Sequence, residues 1–525
     1  MKLFKKFASF AIALTLIVTA TFTTSLDAQA KGSKAASGVV IGGILIQGSD
    51  VVIAATGTSA SEDGLYHLVA SDANQTAPAG VDVAQAQVAA AVNFSVPLGK
   101  NTAATMLFKK FTVCVIKGGA LTPVSNSMYI TNPEACATVS CARMDYGKKG
   151  LVPALDVPTH SKNQPKDLGI QQIQLTLPLS WISNGGGSYK YNDNIYHFET
   201  AKLSGYDYAI RKFNGMGCQV TLILVVDQAA QTEFISPYSY DGLGAHNYYG
   251  LNGTTTEGVT LLAAAGSFLA NRYSGRGFGQ VDNFIIGNEV NAWADWNYMN
   301  CGSLDAFTQE YCNAFRVLYN GIKSENASAN VYVCTDQQWA AASASYYYSG
   351  KSFLTKFNSV IKSTGNIDWR LATHAYMTPL TSATPWAPSG SLTHSQNSPY
   401  ISLQNIDVVT DFLCQPDFLS PTGAVRTVKL SEQGYTSLAG EQYQAAAAVY
   451  AYMVAMNNSH IDGMILSREK DEPVEIGQGL ANGLCNVDGS KKMAYSFYQN
   501  CSDPNIIAQA SAIAGVDLNT CITPR

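Results

Sequence analysis

Two glutamates sit in matched surroundings. The run Phe284-Ile285-Ile286-Gly287-Asn288-Glu289-Val290-Asn291 is an apolar strand that ends in glycine and delivers an amide and a carboxylate, with Trp293, Trp296 and Tyr298 close behind. The run Val428-Lys429-Leu430-Ser431-Glu432-Gln433-Gly434-Tyr435 repeats the plan, again ending in a carboxylate, a glycine and an aromatic. A carboxyl in apolar, aromatic surroundings is pushed toward neutrality and suits general acid catalysis. Two such carboxyls across one mouth suit glycoside hydrolysis: one protonates the leaving oxygen and the other attacks the anomeric carbon. Glu289 and Glu432 are therefore the candidate catalytic pair. Asn288 can hydrogen-bond a sugar hydroxyl, and Trp293, Trp296 and Tyr435 offer faces for pyranose rings, with core packing as the plain alternative.

Other strand ends carry further candidates. His374 and Tyr376 lie in Leu371-Ala372-Thr373-His374-Ala375-Tyr376. Each reads as a site residue or as a structural one. Asp227 ends the strand in Val225-Val226-Asp227-Gln228, as a sugar hydrogen-bonder or a helix cap. Arg468 and Glu469 follow the last strand and either contact substrate or pair with each other. His246 and Asn247, in a Tyr-rich loop, are weaker candidates. The loop from Met377 to Pro399, with Trp386, is expected to shape the pocket.

These residues need a scaffold that brings several strand ends together. From residue 150 onward, strands alternate with helices. Strands are expected at Leu168–Leu177, Gln219–Val226, Val281–Ile286, Val331–Cys334, Trp369–Thr373, Val425–Leu430 and Ile461–Leu466. Helices are expected at Glu199–Met216, Thr256–Ser274, Ala306–Ser324, Tyr347–Ser363, Asn405–Leu413 and Glu441–Asn457. Gly150–Val152 is the candidate for an eighth strand. A doubly wound open sheet has the same alternation. Placement of carboxylates, a histidine and aromatics directly after several strands favours a (β/α)8 TIM barrel within the α/β class. Before it, residues 38–130 read as short strands punctuated by Gly, Asp, Asn and Ser, an all-β sandwich-like pattern, with Val81–Ala91 open to a helical reading. The expected division is a signal peptide at 1–30, a β-sandwich accessory domain at 31–140 and the barrel at 141–525.

The three strand-end runs also carry a family resemblance. Ile285-Ile286-Gly287-Asn288-Glu289 looks like the Asn-Glu acid/base motif after strand four of clan A retaining glycoside hydrolases. Leu430-Ser431-Glu432-Gln433-Gly434-Tyr435 looks like the nucleophile motif after strand seven. Thr373-His374-Ala375-Tyr376 is similar to the strand-six His or Tyr that contacts the nucleophile. The resemblance spans roughly residues 145–500 and is greatest to an uncharacterised bacterial branch of the clan. It implies a retaining mechanism with Glu289 as acid/base and Glu432 as nucleophile. The clan's arginine at the end of strand two has no counterpart in Leu175-Thr176-Leu177-Pro178-Leu179.

Bulk properties narrow the remaining classes. Lys2, Lys5 and Lys6 precede an apolar run from Phe7 to Val18, and Ala28-Gln29-Ala30 offers small residues for cleavage, so an exported chain with a cleaved signal peptide is expected. No second long apolar segment follows, so the mature chain is expected to have no transmembrane segment. A net charge of −5 gives no electrostatic reason to bind nucleic acid. The expected partner is a carbohydrate. Eleven cysteines leave at least one unpaired within the chain, and Cys136 with Cys141, or Cys301 with Cys312, are close enough in sequence to bridge. No Cys-x-x-Cys, His-Glu-x-x-His, Gly-x-Ser-x-Gly or Walker pattern occurs, so neither metal nor cofactor is expected. Gly275, Gly277 and Gly279 precede a strand and form a turn rather than a dinucleotide site. Two rivals share the same residues: a non-catalytic carbohydrate-binding or surface protein on a degenerate barrel, and a transglycosylase.

Overall fold

The computed structural model describes residues 38–77, 79–143, 147–154, 164–341 and 345–525. The segment read as a signal peptide lies outside the described residues. The chain divides into two compact units. One is the chain up to Ala137 with Lys190–Asn194 and Ser359–Ile367. The other is Thr138–Tyr189, Ile195–Asn358 and Asp368–Arg525.

The first unit is built from antiparallel sheets. Val39–Gln47, Asp50–Gly57 and Ala91–Pro97 form one; Val81–Gln87, Leu65–Ser71, Lys110–Lys117 and Ala120–Pro123 form the other, with Met128–Tyr129 paired to Lys110–Lys117. Alternation buries Val39, Ile41, Ile44 and Ile46 on one strand and Phe111, Val113 and Val115 on another. Gly118 and Gly119, both at positive φ (59° and 74°), make the two-residue turn that joins Lys117 to Ala120. Val81–Gln87 is a strand, not a helix. Its Ala and Gln residues have little β propensity, but pairing along Leu65–Ser71 decides the matter.

The second unit holds a closed barrel of eight parallel strands. In order these are Lys149–Leu151, Gln172–Pro178, Gln219–Val225, Asn283–Ile286, Asn330–Thr335, Trp369–Thr373, Val428–Gln433 and Ile461–Leu466. The weak candidate around Gly150 is strand one, paired with strands two and eight. Burial on both faces accounts for runs such as Gln219–Val225, in which every residue is buried. Helices Ser204–Gly215, Thr256–Arg272, Leu304–Glu325, Gly350–Ser363, Asp407–Leu413 and Glu441–Met456 follow strands two to seven in turn. Thr255 and Ser303 cap two of them by accepting from Gly258 N–H and Ala306 N–H. The helix expected from Glu199 begins at Ser204, because Gly187–Tyr191 and Asn194–Phe198 form a hairpin ahead of it.

The barrel interior is layered. At the amino ends of the strands, Lys429 Nζ lies 2.7 Å from Gln172 Oε1 and 3.0 Å from Asp462 Oδ1, and Tyr332 donates its hydroxyl to Asp462 at 2.7 Å. Above lies an apolar layer of Ile223, Val225, Ile285, Cys334 and Ala372 with the Tyr332 ring, against which Tyr248 packs. The carboxyl ends carry the acids described next. Gly275, Gly277 and Gly279 all take positive φ, as a turn requires. All eleven cysteines are unbridged, so neither expected pairing forms. Among the described residues, no helix is long and apolar enough to cross a membrane.

Candidate active site

Strand four ends in a tight turn that aims Glu289 at the mouth. Gly287 has φ of 77°, and a Cβ there would meet Val290 Cγ2 at 3.0 Å. Glu289 itself has φ of 40°. A side-chain-bearing residue in this region costs about 1–3 kcal/mol, and the neighbouring structure must hold it. Three bonds do so. Val290 N–H donates to Cys334 O at 2.9 Å, and Ala292 N–H donates to Glu289 O at 2.7 Å. Asn291 Oδ1 accepts from Asp336 N–H at 2.9 Å.

His374, at the end of strand six, lies between the two glutamates. Its Nδ1 is 2.7 Å from Glu289 Oε1 and 3.5 Å from Glu432 Oε2. Both carboxylates thus face the same ring nitrogen, so the two side chains converge on one point at the mouth. The imidazole is sealed at 1% exposure, whereas Glu289 and Glu432 keep 14% and 30% of their side chains open. Burial opposes charge on His374, but Cys334, Glu432 and Glu289 outweigh it and raise its pKa well above the usual histidine range.

Tyr376 supports the other carboxylate, donating its hydroxyl to Glu432 Oε1 at 2.7 Å. Burial and the nearby Glu432 and Glu289 charges hold the phenol well above its usual pKa, so it remains a donor. Ser467, at the end of strand eight, adds its hydroxyl at 3.4 Å. Strand two contributes no arginine. Its Gln174 instead donates to Ser431 O at 2.6 Å, tying down the backbone just before Glu432. The strand-six residues thus divide the labour: Tyr376 bonds Glu432 and His374 bonds Glu289.

The other candidates separate by placement. Asn288 is partly exposed beside Glu289 and has no side-chain partner among the described residues. Trp293 stacks between Tyr298 and Tyr348, with ring centroids 5.9 Å apart in each case, and Tyr298 stacks on His246 at 3.9 Å. Trp296 tilts against Tyr248 at 5.8 Å. Asp227 is partly exposed and is held from the loop after strand two. Ser180 donates to it from its backbone at 3.2 Å and its hydroxyl at 2.6 Å, locking the loops after strands two and three. Arg468 pairs with Glu475 at 2.6 Å rather than with Glu469, which is buried and accepts from Ala154 N–H at 2.7 Å. Tyr435 is 2% exposed, so its ring packs inside instead of facing a sugar. Trp386 is likewise buried, edge-on to Tyr450.

Two residues at the mouth escaped the sequence reading. Tyr248 packs on the apolar layer of the barrel and against Trp296, and burial, Asp227 and Glu432 raise it above its usual pKa. Its signal was the Tyr-rich run beside His246. Asp336 follows strand five and is 5% exposed. Its signal was the same strand-then-carboxylate pattern as the two glutamates. Among the described residues, no group of three or more His, Cys, Asp or Glu side chains is placed to hold a metal ion.

Strand order, the paired glutamates and the strand-six donors define a (β/α)8 barrel with a dicarboxylate mouth. Residues 142–520 match a family of unknown function, DUF5722, and the chain belongs to that family. No curated protein matches the sequence. Among solved structures, it is similar to a family 39 glycoside hydrolase from the gut symbiont Bacteroides cellulosilyticus WH2, at 13% identity and a TM-score of 0.47 over 88% of this chain and 79% of that one. It is also similar to GH5_18 from Bifidobacterium longum subsp. longum ATCC 55813, at 10% identity and a TM-score of 0.45 over 68% of this chain and 78% of that one.

Proposed function

We propose that this chain is an exported glycoside hydrolase that cleaves O-glycosidic bonds of a poly- or oligosaccharide with retention. The observation that carries the proposal is the convergence of Glu289 and Glu432 on one imidazole nitrogen, at 2.7 Å and 3.5 Å. Glu432 attacks the anomeric carbon while Glu289 gives its proton to the departing oxygen. The C–O bond breaks and a glycosyl ester forms on Glu432. Glu289 then takes a proton from water, the water attacks the same carbon, and Glu432 leaves as carboxylate. Tyr376 and Ser467 orient Glu432 through both halves, and Asn288 supplies an amide for a sugar hydroxyl. Export rests on the basic, apolar and small-residue order of residues 1–30.

Purified wild type, Glu289→Ala and Glu432→Ala, screened on aryl glycosides and arrayed polysaccharides, test the reading. Wild type should hydrolyse at least one glycoside. Glu432→Ala should lose about 10⁴-fold or more. Glu289→Ala should lose about 10²–10⁴-fold on substrates with poor leaving groups. Unchanged hydrolysis in either variant rejects the assignment. Glycan binding without wild-type hydrolysis establishes the binding protein instead, and transfer to a sugar acceptor in place of water establishes the transglycosylase.

A further inference from the structure

Asp336 is a buried carboxylate outside the catalytic pair, with bonds that reach the turn carrying Glu289. Asn291 Nδ2 donates to Asp336 Oδ1 at 2.5 Å, and Asp336 N–H donates back to Asn291 Oδ1 at 2.9 Å. Gln338 donates its backbone N–H to Oδ1 at 2.9 Å and its side-chain amide to Oδ2 at 3.0 Å. Asn291 is fully buried, and its Nδ2 also donates to Tyr348 O at 3.1 Å. The ends of strands four and five are therefore locked together two residues beyond the left-handed Glu289.

We propose that Asp336 is a positioning residue for Glu289: through Asn291 it fixes the turn that aims the glutamate. The inference rests on the glycosidase reading above. An asparagine would satisfy the bonds at Oδ1 equally well. The carboxyl differs from an amide in being titratable beside the turn that carries Glu289. Burial and the Glu289 charge push Asp336 up to about 7. A group that exchanges its proton near neutrality is thus buried beside the turn that carries Glu289. The groups around it act in the same field. Glu289 comes from strand four. Tyr347, whose hydroxyl bonds Asp295 at 3.3 Å, comes from the segment before helix Gly350–Ser363. Tyr347 is pushed up to about 12 by burial and Asp295, with Asp336 and Glu289 adding to it. On strand six, His374 donates its backbone N–H to Thr335 O, beside Asp336.

Two variants separate position from charge. Asp336→Asn keeps the Oδ1 acceptor, gives up the Oδ2 acceptor to Gln338 and removes the titrating proton. Its kcat at the optimum should stay near wild type, while the limb of kcat/KM near neutrality moves by about one pH unit, because Asp336 no longer titrates there. Asp336→Ala breaks the lock, and kcat should fall about 100-fold with a smaller change in KM. An unmoved limb in Asp336→Asn with full kcat in Asp336→Ala overturns the proposal. So does an equal kcat loss in both that tracks a fall in Tm, since that marks a structural role alone. A readout free of activity is the carboxyl resonance of ¹³C-labelled aspartate that disappears in Asp336→Asn. It should titrate near neutrality in wild type and lower in Glu289→Gln. Titration in the ordinary aspartate range in both sinks the inference even for a working glycosidase. A wild type that cleaves no glycoside sinks the functional reading, and the resonance still decides the inference.

Discussion

The same barrel buries charge at both ends, and the two ends treat it differently. At the amino ends of the strands, Asp462 meets Lys429 at 3.0 Å, Tyr332 at 2.7 Å and Thr427 at 2.5 Å. Burial alone would push that carboxyl up, but Lys429, Thr427, Arg370 and Tyr332 hold it down to about 2. At the carboxyl ends, Glu289 and Glu432 flank a single His374, and Asp336, at the end of strand five, is pushed up to about 7. Both clusters are polar, strand-borne and largely hidden from water. Matched charge at one end serves architecture, and an excess of one sign at the other poises protons for chemistry.

Breaking each end should produce different failures. Lys429→Ala leaves Asp462 buried without its cation and should cost about 3–5 kcal/mol, seen in chemical or thermal unfolding. The fall in stability on acidification should flatten, because Asp462 loses the cation that most depresses it. At the mouth, Tyr376→Phe removes a bond to a charged carboxylate. It should lower kcat about 10- to 100-fold, the loss of roughly 1.5–3 kcal/mol, with little change in Tm. The smallest effect is one of slope, and its sign differs between the ends. Asp462 is depressed in the folded state, so its contribution is present above the unfolded aspartate value and is lost as pH falls toward 2. Asp336 is raised, so the folded state holds its proton longer, and stability declines from about pH 4 to about pH 7. Relative to Asp336→Asn, wild type should lose stability across that window. Parallel curves would show that Asp336 titrates normally.

Much of this was legible in the sequence because burial on both faces writes barrel strands as unbroken apolar runs. Glu289 and Glu432 stood out because such runs ended in them. Asp336 ends its strand in the same way, but Gln337 and Gln338 after it read as an ordinary polar loop, and only its bond to Asn291 shows its reach. Tyr435 misled because position near a catalytic residue says little about direction: three residues beyond Glu432 the chain has turned inward. The support for Glu432 was invisible for a related reason. It comes from Tyr376, Ser467 and Gln174 on three different strands, and such convergence exists only after the barrel closes. The hairpin ahead of Ser204 was missed because Phe198 and Leu203 fit a helical spacing equally well.

The pairing of Glu289 as proton donor with Glu432 as nucleophile is the central claim, and the anomeric configuration of the first product tests it most directly. Proton NMR of a hydrolysis reaction, followed from the earliest time points before mutarotation, reports that configuration. The account predicts that the first-formed sugar has the anomeric configuration of the bond that was cut. Initial release of the opposite anomer would contradict it, because that outcome requires water rather than Glu432 to attack the anomeric carbon first.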